Sequence, residues 1–569
     1  MAQERIGVFI CNCGTNIAKV VDAQAVAAAV QDIPGVASAR SYKYMCSNPG
    51  QEMIAQDIRK LGLTKVVVAA CSPRMHENTF RKALERGGIN PYFVEMANIR
   101  EQCSWIHDDP RAATEKATAL ARAAVYRVKF HEPLEKRSVP MCPATLVLGG
   151  GVAGLTAALE LAEAGQQVYL VERTAALGGN LARVDLTPPY LDSAQDIVRE
   201  LVARVRRHEH VRVLLQAELV ELKGFVGNYK PRVRTAGGEV LDLEVGSAVI
   251  CTGAKEFDAG RARGLGHGVL PDVITSFELE AMLRRGTIET RAGKRPRDVA
   301  IIHCVGSRSE EFHRSCSRVC CMSALKYGHQ IRSALPGAHV TDVYTDMNAF
   351  GKGCEDLYRR SAEARTLFLM FDKHAPPKVE AAPPGDASGM LVRFRELLSG
   401  EDVEVPADLV VLMVAMEPRE DSAQVARAAN ISRDREGWFT ESHPKLDPVA
   451  TTTDGVFIAG ACQGPKDVPE AVAQARAAVA RILARISKGA IAVDGVYSEV
   501  DEKQCAGCRK CNTLCPYTAI TFDVVKKRSS IISAACKACG CCAAACPCGA
   551  IQTRQFNDQQ MYAQIEAVL

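Results

Sequence analysis

The chain has 569 residues, 47% of them apolar and 24% charged, and a net charge of +4. It is too long for one hydrophobic core and implies roughly three or four domains; so small a charge over such a length gives no ground for nucleic-acid binding. No apolar run reaches the roughly 18–20 residues of a membrane-spanning helix, and Met1–Arg5 does not open as a signal peptide.

The expected location is the cytoplasm, where disulfides do not persist, so the 23 cysteines point to metal ligation. Buried unreactive thiols are an alternative for Cys142, Cys251, Cys354 and Cys462. They do not account for the cysteines that cluster.

Residues 1–135 alternate apolar β-rich runs (Ile6–Ile10, Lys65–Ala70, Tyr92–Val94) with helical stretches (Ala23–Val30, Gln51–Leu61, Asn78–Arg86), the pattern of a parallel α/β sheet. Cys11 and Cys13 follow the first strand, Cys46 follows Ala39–Tyr44, Cys71 follows Lys65–Ala70, and Cys103 trails the last strand at greater distance. Ligand sites in open α/β sheets gather at the carboxyl ends of strands, so these thiols are expected to converge. Four of the five suffice for a [4Fe–4S] cluster, and the sequence does not say which is spare. A catalytic dithiol at Cys11-x-Cys13 and purely structural cysteines are the alternatives.

Residues 144–489 open with the strand Thr145–Leu148, then Gly149-Gly150-Gly151-Val152-Ala153-Gly154 and an Ala/Leu-rich helix. A second strand, Gln167–Val171, ends at Glu172. Glycines there let backbone amides meet a pyrophosphate at the helix start, and Glu172 can accept from ribose hydroxyls. Gly178-Gly179 stands where the loop continuing along the dinucleotide is expected. A remote strand from Thr452 ends at Gly460 before a helix starting near Pro469. It resembles the element by which two-dinucleotide flavoproteins of the thioredoxin-reductase type close over the flavin, which favours FAD over NAD. Their usual acidic residue is replaced by Ala461, so the contact is expected to shift to the Gln463–Val468 loop and the next helix start. The expected flavin set is Gly149, Gly151, Val152, Ala153, Gly154, Glu172, Arg173, Gly178, Gly179, Asn180, Thr252, Gly253, Gly460, Ala461, Gln463, Lys466, Val468 and Val472. A Rossmann-like domain with no ligand is the alternative.

Where a second glycine-rich cradle for NAD(P)H belongs, the strand Val299–His303 runs instead into Cys304-Val305-Gly306-Ser307-Arg308. Cys304 is joined by Cys316, Cys320 and Cys321 in a C-x11-C-x3-C-C set, four thiolates that can complete another [4Fe–4S] site. The competitor is an active-site dithiol, which would normally read C-x-x-C. Lys326, five residues after Cys321 on an expected helix, is the candidate catalytic cation, with a solvated side chain as the alternative. The Pro-rich stretch 374–385 reads as a surface loop.

Residues 495–556 carry C-x2-C-x2-C-x3-C-P twice: Cys505, Cys508, Cys511, Cys515-Pro516 and Cys536, Cys539, Cys542, Cys546-Pro547. In that spacing the fourth cysteine of each run crosses to the other cubane. Cys505, Cys508, Cys511 and Cys546 are therefore expected to hold one cluster, and Cys536, Cys539, Cys542 and Cys515 the other. A zinc ribbon needs only four ligands and leaves both C-P endings unexplained. Cys541 and Cys548 do not fit the spacing and are expected to pack nearby. A short polar helix spans 557–569.

These motifs together resemble HdrA, the flavin-bearing component of CoB–CoM heterodisulfide reductase, and its bacterial relatives, over essentially the whole chain. The resemblance rests on I-G-V-F-I-C-N-C-G at 6–14, Y-M-C-S at 44–47, A-C-S-P-R-M-H-E at 70–77, and E-M-A-N-I-R-E-Q-C-S-W at 95–105. It continues in C-x11-C-x3-C-C at 304–321, F-G-K-G at 350–353, and Q-G-P-K-D at 463–467. It implies a multidomain α/β chain: an N-terminal iron–sulfur domain, a thioredoxin-reductase-like flavin core and a C-terminal 2[4Fe–4S] ferredoxin domain. Implied partners are the HdrB and HdrC components or equivalents, an electron-input protein (MvhD-like or a dehydrogenase), and ferredoxin, in a dimer of a larger complex. Larger members carry an extra ferredoxin domain inserted in the flavin region, for which 144–489 has no room. The implied activity is flavin-based electron bifurcation or confurcation; a passive electron-transfer scaffold is the rival, for example in an acyl-CoA-reducing complex. Four cubanes and one flavin site imply about sixteen irons and one FAD per chain.

Overall fold

A computed structural model describes residues 4–384 and 388–569. The chain divides into two compact units, Met1–Val139 with Ala492–Leu569, and Pro140–Ile491.

The first unit is built on a four-stranded parallel sheet in the order Val36–Tyr42, Ile6–Cys11, Lys65–Ala70, Val94–Asn98. Its central strands are apolar on both faces, as a sheet covered by helices on each side requires. Ala-rich helix Pro110–Val128 lies on one face, with Ala113, Ala117, Ala121 and Ala124 buried against Ile6, Val8 and Ile10. On the other face Phe9, Val66 and Val68 pack against Ile54, Ile58, Phe80 and Leu84 from helices Asn48–Leu61 and Pro73–Gly87. The last strand starts later than the apolar run at 92–94 suggests. Asn90 accepts from the Tyr92 amide, and Pro91–Phe93 turns as a 3-10 helix before Val94 extends.

The ferredoxin segment belongs to this same unit. It consists of short antiparallel strand pairs, Ser498–Val500 with Ile551–Thr553 and Ile520–Asp523 with Arg528–Ile531, and two helical turns at Lys510–Leu514 and Cys541–Ala544. Arg127 fastens it to the sheet. Its guanidinium donates to the Gln555 carbonyl (2.8 Å), pairs with Glu95 (3.2 Å) and lies over the Phe556 ring. Arg81 pairs with Asp494 at 2.9 Å, and the Gly495 amide donates to the Tyr92 hydroxyl at 2.9 Å.

The second unit contains two five-stranded parallel sheets. One has the order Val211–Leu214, Val168–Val171, Thr145–Leu148, Ser247–Ile250, Val456–Ile458. The other runs Val273–Thr275, Leu409–Val414, Asp298–Val305, His339–Tyr344, Leu367–Met370. Among the described residues no helix is long and apolar enough to cross a membrane.

Candidate functional site

Four groups of the residues singled out in the sequence come together at chain turns. In the first sheet of the larger unit, Thr145–Leu148 delivers Gly149 to the start of helix Val152–Glu163. A Cβ on Gly154 would stand 1.8 Å from the Gly149 carbonyl oxygen, so only glycine lets the helix meet the turn. A Cβ on Gly151 would find nothing nearer than the Gly179 Cα at 4.0 Å. That open face, beside a helix N-terminus, suits a pyrophosphate.

Glu172 holds the turn from the next strand. Its Oε2 accepts from the Gly150 amide (2.7 Å) and its Oε1 from the Thr174 amide and hydroxyl (2.8 Å each). A carboxylate has about four lone-pair sites, so capacity for a ribose hydroxyl remains. Arg173 pairs with Asp421, and Asn180 donates to the Ala254 carbonyl at 2.9 Å in the stretch that follows Thr252 and Gly253.

At the far strand, the Gly460 amide donates to Gln474 (2.9 Å), whose amide donates to Gln463 (2.6 Å). Gln463 donates in turn to Glu441 at 2.8 Å. Asp467 caps helix Val468–Ile486 with Glu470 as its reciprocal partner. Lys466 is partly buried, and burial holds its ammonium below the ordinary lysine range. Ala461, Val468 and Val472 are half-buried in this loop and first turn. These residues fit a dinucleotide: the cradle is open where phosphate belongs, and the acid and capped helix stand on either side.

In the second sheet, the penultimate residue of the strand Asp298–Val305 is Cys304, whose φ of 60 turns the chain sharply. Gly306 follows with no further glycine beside it and packs on the Phe257 ring, where a Cβ would lie 2.5 Å away. The turn instead faces Cys316, Cys320 and Cys321. Burial raises the proton affinity of the Cys320 thiol, and the nearby Cys304, Cys321 and Cys316 thiols add to it. Cys304 Sγ approaches the Thr345 hydroxyl (3.7 Å), Cys321 Sγ the Asp346 carbonyl (3.5 Å), and the Arg318 amide donates to Cys316 Sγ (3.3 Å). Arg318 also pairs with Glu470, so the cysteine turn is tied to the capped helix of the flavin region.

His303 and Asp342 form a fully buried pair, Nε2 to Oδ1, at 2.7 Å. Burial works against charging the imidazole, but Asp342 and then Cys321 more than offset it, and its pKa is raised to about 10. The Cys321 thiol is pushed up by burial and pulled further down by the neighbouring His303, so that it ends below the usual thiol range. Lys326, on helix Cys320–Ala334, is fully buried, pairs with Glu280 and donates to the Leu186 carbonyl at 3.0 Å. Burial lowers its pKa against the pull of Glu280.

At the carboxyl ends of the N-terminal sheet, Cys11 ends its strand and Cys71 directly follows another. The amides of Cys13 and Met45 donate to Cys11 Sγ at 3.3 and 3.4 Å. Arg100 reaches Cys13 Sγ at 3.7 Å and stacks on Trp105. Burial raises the Cys71 thiol to about 11; Arg100 opposes this, while Cys13 and Cys11 add to it. Burial raises the Cys11 thiol, the Met45 and Cys13 amides oppose this, and the nearby Cys13 and Cys46 thiols add to it. Cys103 differs: it sits in a π-helical turn, Arg100–Ser104, buried among Ala113 and Ala117 of the long helix. Burial raises its thiol, and Lys116 is the one charge that opposes this.

In the ferredoxin segment, Cys515, Cys536, Cys539 and Cys542 line one pocket, and Cys505, Cys508, Cys511 and Cys546 line another. Cys541 borders the first and Cys548 the second, its sulfur 3.7 Å from that of Cys546. One local device recurs in three of these groups. The amide two residues on donates to a cysteine sulfur, Cys13 to Cys11 (3.3 Å), Arg318 to Cys316 (3.3 Å) and Ala538 to Cys536 (3.4 Å). In each case the donating residue has a left-handed backbone, at φ 49, 62 and 52. All-thiol donor sets with amides directed at sulfur fit iron–sulfur clusters. Arg100 lies inside the 95–105 motif and His303 directly precedes Cys304, but spacing to one cysteine does not reveal which other groups each side chain meets, and Asp342 lies outside every motif.

An FAD-dependent oxidoreductase model matches residues 145–251, and a 4Fe-4S dicluster model matches 498–547. The chain is 40% identical to the second iron–sulfur HdrA of the CoB–CoM heterodisulfide reductase of Methanopyrus kandleri, over 94% of this chain and 93% of that protein. It is 37% identical to the HdrA of the H2:CoB-CoM heterodisulfide,ferredoxin reductase of Methanothermobacter thermautotrophicus, over 92% and 91%. With the HdrA-like heterodisulfide reductase protein of Archaeoglobus profundus it shares 34% identity, over 92% of each. Among solved structures, T. acidophilum thioredoxin reductase aligns over 60% of this chain and 98% of its own, at 16% identity and a TM-score of 0.41. The protein is an oxidoreductase component that carries FAD and [4Fe–4S] clusters. The chain belongs to the HdrA family of heterodisulfide reductases.

Proposed function

We propose that this chain performs electron bifurcation or confurcation in a cytoplasmic heterodisulfide-reductase-like complex, between a two-electron partner, ferredoxin and a second acceptor. When bound, FAD supplies the exchange between two-electron and one-electron transfer, and the clusters conduct single electrons. Partners of this reading are HdrB- and HdrC-like proteins and an electron-input protein, in a dimer of the assembly. The relatives' names, which include a heterodisulfide and ferredoxin as reactants, support it.

The chain's own part is to hold and insulate. Gly149 to Gly154 present amides to the pyrophosphate, Glu172 receives the ribose, and the capped helix at Val468 closes the site. Cys304, Cys316, Cys320 and Cys321 hold one cluster. Cys11, Cys13, Cys46 and Cys71 hold a second, with Cys103 the spare thiol. The ferredoxin segment holds two more, Cys515 and Cys546 crossing between them, for about sixteen irons in all. Lys326 enters as a positioning residue, its charge shared with Glu280 on the helix that carries Cys320 and Cys321.

One observation carries this reading: a four-cysteine turn occupies the strand end where a nucleotide cradle is expected, and Arg318 links it to the flavin-region helix. A flavin region with neither a second glycine-rich cradle nor a C-x-x-C dithiol works against a self-contained NADH-dependent reductase. The test is a redox titration of the purified, cofactor-loaded chain. Crossed one-electron flavin potentials are the expected result. Normally ordered potentials would make the chain a non-bifurcating scaffold between a dehydrogenase and a reductase.

A further inference from the structure

One ferredoxin pocket is bordered by five thiols, one more than a cubane binds: Cys505, Cys508, Cys511, Cys546 and Cys548. Cys548 falls outside the C-x2-C-x2-C-x3-C-P spacing. Its sulfur nonetheless stands 3.7 Å from that of Cys546, and neither is in a disulfide, which would bring the two to about 2.05 Å. Sulfurs bound to different irons of one cubane are spread apart by the cluster, well beyond such contact. These two therefore face the same corner.

A tight turn puts Cys548 there. Cys546-Pro547-Cys548-Gly549 has proline second and glycine fourth, as a type I turn favours. The Gly549 amide donates to the Cys546 carbonyl at 3.2 Å, and Gly549 takes a φ of 64 that a side chain would strain. Beyond the turn the chain is anchored: the Asp501 amide donates to the Ala550 carbonyl (2.8 Å), and Val500 pairs with Ile551. Cys505 is fixed to the same place, its amide donating to the Asp501 carbonyl at 3.0 Å. The backbone of Cys548 is thus held at the pocket edge, and its exposed side chain has only to swing toward its neighbour's position.

We propose that Cys548 is a second ligand for the iron corner that Cys546 binds, able to exchange with it at one [4Fe–4S] cluster. The inference rests on the reading that Cys505, Cys508, Cys511 and Cys546 hold that cluster. Cys548 binds as Cys546 releases, so one iron–sulfur bond forms and one breaks. The proton of the incoming thiol passes to the departing thiolate across the 3.7 Å sulfur contact, and no electron is gained or lost. Cys546 is the ligand that crosses from the other cysteine run, and Cys548 comes from the same turn, so the crossing survives the exchange. A corner served in this way keeps its iron when either sulfur is lost.

The experiment uses the full chain, loaded anaerobically with FAD and iron–sulfur clusters, with iron counted and EPR spectra recorded for oxidised and reduced protein. Cys546→Ala is expected to keep about sixteen irons and a [4Fe–4S] spectrum, and Cys548→Ala to match wild type. The double variant is expected to lose the corner iron, seen as a [3Fe–4S] signal in the oxidised protein, or the whole cluster of about four irons. Iodoacetamide followed by mass spectrometry adds a second reading: Cys548 is expected to be alkylated in wild type and protected in Cys546→Ala. Should the alanine variant not fold, Cys546→Ser takes its place, with Cys548 again protected. Cys546→Ala losing as much iron as the double variant overturns the proposal and leaves the cluster reading standing. So does a Cys548 that stays reactive in every loaded Cys546 variant, or a loss of iron from Cys548→Ala alone, which would make Cys548 the resident ligand. Full iron in the double variant would sink the cluster reading itself.

Discussion

The ferredoxin segment and the two strand-end cysteine groups use the same ligand chemistry on opposite structural terms. Around the ferredoxin cysteines the buried apolar cluster is Cys511, Cys542 and Ile551, so two of its three members are cysteines. Around Cys11 and Cys71 the sheet buries full apolar layers on both faces, and the sheet bearing Cys304 is equally well packed. In the first case the metal stands in for a core. In the second, a chain that folds by burying its own side chains presents thiols at strand ends.

The largest expected effect follows from that contrast. Cys515→Ala removes a ligand from a segment with almost no core, and its run also supplies the other cluster. It should lose about eight iron atoms and leave residues after Tyr497 open to limited proteolysis. Cys320→Ala, in the well-packed unit, should lose only about four irons while FAD content and thermal unfolding change little. If it unfolds the unit, the contrast is broken. Next comes a comparison within the N-terminal group. Cys71→Ala should cost about four irons and Cys103→Ala none, because Cys103 faces alanines of the long helix rather than the other sulfurs.

The legibility of these sites in the sequence follows the same division. All eight cysteines of the two ferredoxin runs lie within residues 505–546, so spacing alone suggests two sets and their crossing, and the two pockets gather the same eight. The strand-end thiols are scattered, and only the rule that ligands collect at carboxyl ends of parallel strands brings them together. That rule could not separate Cys103 from the rest. Its position is decided by a π-helical turn and by packing against Ala113, neither of which leaves a period in the sequence. His303 and Asp342 escaped for the same reason, since strand pairing sets their contact. Nor could composition reveal that Arg127 joins the ferredoxin segment to the N-terminal sheet, an association spanning more than four hundred residues.

A smaller effect tests how independently the flavin-bearing unit folds. Glu280 accepts from Lys326 and from the Tyr327 hydroxyl (2.8 Å), and also from the Asp185 amide (2.8 Å). Glu280→Ala strands a buried ammonium and should destabilise this unit by about 3–5 kcal/mol, read as a lower thermal midpoint in apoprotein and loaded protein alike. A loss confined to the loaded form would instead assign the pair to cofactor retention.

The smallest effect concerns the helix that closes the flavin site. The Asp467 side chain accepts from the Glu470 amide at 2.8 Å, and the Glu470 carboxylate accepts in return from the Asp467 amide, so this cap is complete without any ligand. Asp467→Ala should therefore cost about 1 kcal/mol already in the apoprotein. Its effect on FAD affinity should be of similar size or smaller, because the first-turn amides that would meet the flavin remain in place. Fluorescence titration of the apoprotein with FAD separates the two contributions. An affinity loss far larger than the stability loss would mean that the cap forms part of the flavin contact and that the helix end is organised by its ligand, as in the ferredoxin segment.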